Sequence, residues 1–170
     1  MTENFDEIEM KIISQMNDFL IEADENKLIG NRVWTNRLKH RIGELGTNEG
    51  FQVAAGGFRD LFEREWLYDI VWYVEDAEKR LIRIPLIVES EWDANYSGIK
   101  YDFEKLLVGN AECRLMICQS KPENIEDLFK KLKEAINAFE ENYGDRFLIA
   151  ILDSRTESEF YYKTFTKPNK

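Results

Sequence analysis

The 170-residue chain has little of what several common catalytic sites require. It has one histidine, His40, which excludes a metal site with two histidine ligands and leaves only that residue as a histidine base. The two cysteines, Cys113 and Cys118, form no CxxC pair. No glycine-rich phosphate loop of the GxxxxGK type occurs. Carboxylates are abundant instead, and their oxygens suit hard cations such as Mg²⁺.

Charge is unevenly distributed along the chain. There are 33 Asp and Glu residues against 23 Lys and Arg residues, a net charge of -10, which speaks against nucleic acid as a partner. Residues 1–25 hold eight acids and one lysine, whereas residues 31–41 hold four basic residues and no acid. This basic stretch is either a solvated helix face or a contact for a phosphate backbone. Its candidate nucleic-acid-binding residues are Arg32, Arg37, Lys39 and Arg41.

The chain lacks an apolar run of 18 residues, so we expect no membrane span. Its first residues are acidic, unlike a signal peptide, and the few cysteines fit a reduced compartment, so we expect a cytoplasmic protein. The length and the 44% hydrophobic content fit a single domain over residues 1–170.

Hydrophobic periodicity predicts the element order α-α-β-β-β-α-β-α-β-β. The predicted helices are Asn4 to Ala23 with Asn4 as N-cap, Arg32 to Leu45 with Gly46 as its stop, Tyr101 to Val108, and Glu123 to Tyr143. The predicted strands are Phe51 to Ala55, Leu67 to Val74, Leu81 to Trp92, Cys113 to Gln119, Phe147 to Leu152 and Phe160 to Phe165. Such an order indicates an α/β (α+β) domain, a central mixed sheet flanked by helices.

Acidic residues are concentrated in the predicted hairpin of Leu67–Val74 and Leu81–Trp92. Alternation places Asp69, Glu89 and Glu91 on one side of the sheet, unless Pro85 shifts the register. Three clustered carboxylates repel one another, and a divalent cation would offset that repulsion. The pattern therefore predicts a magnesium site at the strand ends. The alternative is that Glu89 and Glu91 are solvated at a fraying strand end.

The segment after the hairpin adds a family resemblance. Asp102-Phe103-Glu104-Lys105-Leu106-Leu107 lies on a predicted helix that is followed by a hydrophobic strand. Together with Glu44 on a helix before the sheet, Asp69, and Glu89-Ser90-Glu91, it resembles the PD-(D/E)XK phosphodiesterase superfamily of restriction-endonuclease-like nucleases. The resemblance covers residues 31–119 and implies an α-β-β-β-α-β core, to which residues 1–25 add a helix and residues 120–170 add further elements.

The resemblance also implies roles for individual residues. Asp69 and Glu89 would hold Mg²⁺, with Mn²⁺ as a possible substitute, and Glu44 would match the acid that some members carry on the first core helix. The position of the family's usual lysine is occupied by Glu91, a glutamate that some members also have. Others move the lysine to the following helix. Lys105 is the first choice for this role, orienting the attacking water, and Lys100, also expected at the nucleic acid, is the second.

The main functional expectation is a magnesium-dependent nuclease that hydrolyses DNA, with Asp69, Glu89, Glu91 and Lys105 as catalytic residues. The alternative is a catalytically inactive module of the same fold that binds nucleic acid or a protein. A third reading is an interaction protein whose acidic first helix docks a basic partner. A homodimer through that helix would cover its apolar stripe. Tryptophans 66, 72 and 92 are expected in or near the core, and Trp92 could instead stack on a base.

Overall fold

The fold is described from a computed structural model that covers residues 4–58, 60–141 and 144–167. The helices in chain order are α1 (Glu7–Glu25), α2 (Asn31–Asn48), α3 (Tyr96–Val108) and α4 (Ile125–Ala138). The strands in chain order are β1 (Gln52–Ala55), β2 (Ile70–Glu75), β3 (Leu81–Glu91), β4 (Cys113–Ser120), β5 (Arg146–Asp153) and β6 (Phe160–Thr166). This is the element order that the periodicity predicts, with some different bounds.

The six described strands form one sheet in the order β1-β2-β3-β4-β5-β6. The first three strands are an antiparallel meander. β3, β4 and β5 run parallel, with α3 and α4 as the crossovers, and β6 returns antiparallel to β5. The expected mixed sheet flanked by helices is thus confirmed, and the elements from α2 to β4 follow the order α-β-β-β-α-β.

Two hydrophobic layers cover the two faces of the sheet. On β3, Leu86 and Val88 join the layer that packs under α1 and α2, whereas Ile87 joins the layer under α3 and α4. Alternation along the strand therefore directs Glu89 towards α3 and Ser90 towards α2. Within the described residues no helix has the length and the apolar character that a membrane crossing needs.

The first helix begins at a different cap from the one expected. Asp6, rather than Asn4, caps α1, and Glu9 completes a capping box because its carboxylate accepts from the Asp6 backbone N–H. Glu9 is fully buried, where it contacts Arg146 of β5 at 2.5 Å and accepts from Thr164 of β6 at 2.7 Å. The apolar stripe of α1 packs on its own sheet, which removes the reason given for a homodimer.

Three helix ends differ from the expectation, each for a local reason. Gly46 does not stop α2: it lies inside the helix, where a Cβ would come within 2.5 Å of the Trp72 indole nitrogen, so it serves close packing. α3 begins at Tyr96 because the side chain of Asn95 accepts from Ser97 N–H and caps it. α4 begins at Ile125 after a 3₁₀ turn and ends at Ala138; the predicted end at residue 143 lies outside the described residues.

The β2–β3 hairpin forms with a bulge at Pro85. Ile70 pairs with Val88 and Trp72 with Leu86, but Val74 pairs with Arg83, so two residues of β3 face one residue of β2. β2 begins at Ile70 rather than at Leu67. Asp69 therefore lies just before the strand, and its side chain is not bound by the alternation that the sequence argument assumed.

Candidate active site

Asp69 is held by donors from two elements. Its Oδ2 accepts hydrogen bonds from the Ser90 backbone N–H at 2.9 Å and from Ser90 Oγ at 2.7 Å. Its Oδ1 lies 2.8 Å from Nζ of Lys39, which belongs to α2. The Asp69 carboxylate thus turns towards the α2 side of the sheet, where both of its oxygens are engaged.

Lys39 is a buried cation rather than part of a basic surface. It is 9% exposed, and its ammonium also contacts Glu65 Oε2 at 3.1 Å. Burial alone would lower the pKa of Lys39, but the hydrogen bonds and charges of Asp69 and Glu65 outweigh burial and raise it. Lys39 is therefore not part of an exposed basic face, because two carboxylates already enclose its ammonium.

Glu89 lies on β3, on the α3 side of the sheet, and is 3% exposed. Its Oε1 is 2.6 Å from Nζ of Lys105, a close ion pair. Burial is the main cause that raises the pKa of Glu89 to about 7. The charges of Asp69 and Asp102 raise this pKa further, and Lys105 opposes them. Such a perturbed buried acid is typical of functional sites.

The fold brings Lys105 of α3 next to Glu89, a position that suits the migrated lysine of the family resemblance. Its ammonium lies between Glu89 and Asp102, at 2.6 and 3.4 Å, and its side chain is 35% exposed. The Tyr68 hydroxyl donates to the Lys105 carbonyl at 3.4 Å, which ties the segment before Asp69 to α3. A single lysine thus faces both the buried carboxylate and solvent.

Glu91 does not join the carboxylates of Asp69 and Glu89. Its Oε1 accepts from Asp93 N–H at 2.7 Å, and its Oε2 lies beside Gly98, where a Cβ would be 3.1 Å away. The described ranges contain no group of three or more His, Cys, Asp or Glu side chains placed to hold a metal. The expected three-carboxylate cluster is therefore not formed, since lysines lie beside two of the acids and Glu91 faces the start of α3.

Glu44 is also outside this centre. Its side chain is 57% exposed, and its Oε2 lies 3.2 Å from His40 Nδ1, one helical turn earlier. The residue of α2 that reaches Asp69 is Lys39, five positions before Glu44. The structure therefore places a cation where the resemblance implied a third acid.

The remaining basic candidates are mostly paired within the chain. Arg41 and Arg37 contact Glu22 of α1, with shortest distances of 2.7 and 3.5 Å, and Lys100 contacts Glu104 at 2.7 Å. Arg32 is exposed. The acidic first helix thus neutralises much of the patch that the sequence suggested for a phosphate backbone.

Sequence reasoning missed Arg114, which fixes the end of α3. It is fully buried in β4 and donates to the carbonyls of Leu106, Gly109 and Ala111, while it pairs with Asp145 at 2.8 Å. Burial lowers the pKa of Arg114. The available signal was an arginine inside the otherwise apolar segment of residues 113–118.

These side chains form a charged centre in two halves, with Lys39, Glu65 and Asp69 towards α2 and Lys105, Glu89 and Asp102 towards α3. The charge of Asp69 acts on Glu89 across the two halves. The centre contains four carboxylates and two ammonium groups, so its net charge with all ionised is -2, from Glu65, Asp69, Glu89, Asp102, Lys39 and Lys105. A divalent cation would balance that charge. Protonation of Glu89 would instead reduce the net charge of the centre to -1.

Comparison with known proteins found no match: no family model, no curated protein and no solved structure matches the chain.

Proposed function

We propose that the chain is a metal-dependent phosphodiesterase, a nuclease that hydrolyses DNA. The observation that carries the proposal is the Lys105 ammonium 2.6 Å from the buried Glu89 carboxylate, whose pKa is raised partly by the charge of Asp69. Two neighbouring acids and a lysine are the groups that the resemblance to the PD-(D/E)XK superfamily assigns to the reaction, and here the lysine comes from α3.

The donor set fits a magnesium ion in its two-carboxylate form. Mg²⁺ is commonly held by one or two carboxylates and several waters, so Asp69 and Glu89 suffice without a third acid. Glu89 Oε1 is buried and has the Lys105 ammonium 2.6 Å away, so an ion held by Glu89 would share this carboxylate with Lys105. A divalent ion bound there would supply positive charge to a phosphate and activate a water molecule.

The chain's own side chains have separable roles in this proposal. Lys105 is positioned to steady negative charge that develops on a phosphate, since its ammonium reaches both Glu89 and solvent. Lys39 and Ser90 orient Asp69. Arg114 acts through α3, because it holds the carbonyls that end the helix on which Lys105 lies.

One observation favours the second candidate function, an inactive module of the same fold that binds nucleic acid or protein. Glu91 replaces the usual lysine, and both Asp69 oxygens already have donors within the chain. In such a module the lysine–carboxylate pairs would be structural, and metal would have no effect.

Titration of Mg²⁺ and Mn²⁺ against the unfolding midpoint separates the two functions, because an ion that binds the folded state raises its stability. We expect a rise for the wild type and none for Asp69→Ala/Glu89→Ala. Glu123→Ala/Glu126→Ala, which removes two exposed carboxylates, should behave as wild type. Repeating the titration with a short phosphorothioate DNA covers the case in which the ion binds together with phosphate.

Cleavage of single-stranded and plasmid DNA with Mn²⁺ completes the test. Lys105→Ala should keep the metal-dependent rise in midpoint and lose cleavage. If the wild type neither responds to metal nor cuts DNA, the hydrolase proposal is wrong and the binding module remains.

A further inference from the structure

Trp66 differs from the other tryptophans of the chain. Trp34, Trp72 and Trp92 are 7%, 0% and 7% exposed, whereas Trp66 is 44% exposed. The expectation that Trp66 packs in or near the core is therefore wrong. Trp92, the earlier candidate for base stacking, is buried with its ring edge-to-face against Trp34 at 6.0 Å. Any stacking tryptophan on this surface must be Trp66.

Trp66 is held by one neighbour and is near the charged centre. Its ring lies 4.6 Å from that of Tyr73 on β2, tilted by 36°. Trp66 precedes Asp69 by three residues, and Tyr73 follows it by four, which is about 13 Å along a strand. The indole is thus fixed within reach of a chain that crosses the centre.

The residues around Trp66 are exposed and carry a cation. Leu67 is 80% exposed, and Arg64 is exposed with no ion pair to any residue in the described ranges. An apolar side chain and an arginine beside an indole suit a nucleotide, which has an apolar face and a phosphate.

A second exposed aromatic lies on the helix that carries Lys105. Tyr101 of α3 is 69% exposed and lies four residues before Lys105, so both are on one face of the helix. Tyr68, next to Leu67, donates to the Lys105 carbonyl, which places the Trp66 segment against the same helix. Trp66 thus lies on a segment that adjoins the helix on which Tyr101 and Lys105 are found.

We propose that Trp66 and Tyr101 are stacking platforms for unpaired nucleobases, so that the substrate is single-stranded nucleic acid; this rests on the proposed function. Paired bases in a duplex expose only their edges, whereas unpaired bases offer faces to aromatic rings. Arg37, Arg41 and Lys39 are paired with acids and the net charge is -10, so few cations remain for the phosphates of any nucleic acid. Stacking must therefore supply most of the binding, and it is available only to unpaired bases.

The acidic cleft next to Trp66 limits which part of a bound nucleotide can enter it. This cleft, of about 700 Å³, is lined by Trp66, Tyr73 and the acids Asp60, Glu63 and Glu75, with Lys79 as the cation. Its carboxylates repel phosphate, so a base can enter it while the sugar–phosphate backbone stays outside.

Tryptophan fluorescence tests this site without any cleavage. In EDTA, titration with an oligothymidylate of about 12 nucleotides should quench the emission of Trp66, the one strongly exposed tryptophan. Trp66→Ala should weaken binding about 10-fold, as measured by anisotropy of a labelled oligonucleotide, and Tyr101→Ala should weaken it severalfold. Trp66→Phe should keep most of the affinity and lose the quenching. Tyr161→Ala, at a 38% exposed tyrosine of β6, is the matched control and should not change the affinity.

The same titration with a duplex of equal length decides the substrate class. We expect at least 10-fold weaker binding of the duplex. The proposal is overturned if the duplex binds as tightly as the single strand, if Trp66→Ala leaves the affinity unchanged, or if no oligonucleotide binds. Binding through Trp66 without cleavage would refute hydrolysis alone, and cleavage of duplex without help from Trp66 would refute the stacking site alone.

Discussion

The two lysine–carboxylate pairs of the centre have different surroundings. Asp69 has a side chain that is 22% exposed and receives Ser90 N–H, Ser90 Oγ–H and the Lys39 ammonium. Glu89 has a side chain that is 4% exposed and has the Lys105 ammonium at ion-pair distance, with a pKa raised to about 7. Asp69 is therefore an acceptor with several donors from the chain, whereas Glu89 is a buried acid that costs stability when ionised. Under the proposed function, the Glu89 side is the half that acts on the substrate.

Arg114→Met should have the largest effect on the unfolding free energy. It should loosen only the Glu89 half of the centre, which depends on α3. It leaves the Asp145 carboxylate and three carbonyls near the end of α3 without their buried partner. Loss of one member of a buried pair costs about 3–5 kcal/mol of unfolding free energy, measurable by urea unfolding. Amide hydrogen exchange should rise in α3 more than in α2.

Arg83→Met serves as its control, since Arg83 forms an exposed pair with Glu112 at 2.9 Å. Such a pair contributes little to stability. Equal losses in both variants, or equal loosening of α2 and α3, would contradict the role of Arg114.

The pH dependence of stability sharpens the difference between the two acids. Because the pKa of Glu89 is raised from 4.5 to about 7, the folded state binds more protons than the unfolded state between these values. The unfolding free energy of the wild type relative to Glu89→Gln should therefore fall as pH rises through this window, by about 3 kcal/mol in total. Urea unfolding of both proteins in EDTA at pH 5, 6, 7 and 8 measures it. A difference that is constant with pH would show that Glu89 has an ordinary pKa.

Asp69→Asn should have an intermediate effect. The amide can still accept from Ser90, but Lys39 loses its closer carboxylate and keeps Glu65. We expect a loss of about 2 kcal/mol of unfolding free energy. Removal of the Asp69 charge also lowers the pKa of Glu89, so the pH window of the wild type should move down. Additive effects in Asp69→Asn/Glu89→Gln would mean that the two acids do not interact.

Lys100→Met should have the smallest effect on stability and on its pH dependence. Lys100 lies on α3, as Lys105 does, but pairs with Glu104 at an exposed position. The unfolding midpoint should stay at the wild-type value, whereas Lys105→Met should raise the pKa of Glu89 and move the pH window up. A large change in Lys100→Met would contradict its position outside the centre.

The sequence was sufficient for the strands, the hairpin and the mixed sheet, because these depend on local alternation and on β-branched and aromatic runs. The family resemblance singled out Lys105, and the fold brings its ammonium within 2.6 Å of Glu89, while its catalytic role stays a prediction. Sequence reasoning failed for the orientation of Asp69, since β2 begins one residue after Asp69 and the Asp69 side chain turns to α2. It did not predict the burial of Lys39, since its acidic partners are 26 and 30 residues away and become neighbours only through the fold.

Trp66 and Arg114 show a further limit of sequence reasoning: Trp66 is exposed although it is aromatic, and Arg114 is buried although it is charged. An aromatic residue in a charged loop gives no sign of its exposure, and an arginine in an apolar strand gives no sign of its carbonyl partners. The burial of each residue depends on how the segment after β1 and the end of α3 pack against the sheet. The local sequence pattern carries no information on these tertiary contacts.

The buried Glu9 network has a consequence for the order of folding during synthesis. Glu9 leaves the ribosome early, but its partners Arg146 and Thr164 are 137 and 155 residues further along the chain. Contacts of such separation form late, because a long loop must close first. The contacts of Glu9 should therefore form late, whereas α1 can dock on α2 earlier, since Glu22 and its partner Arg41 are only 19 residues apart.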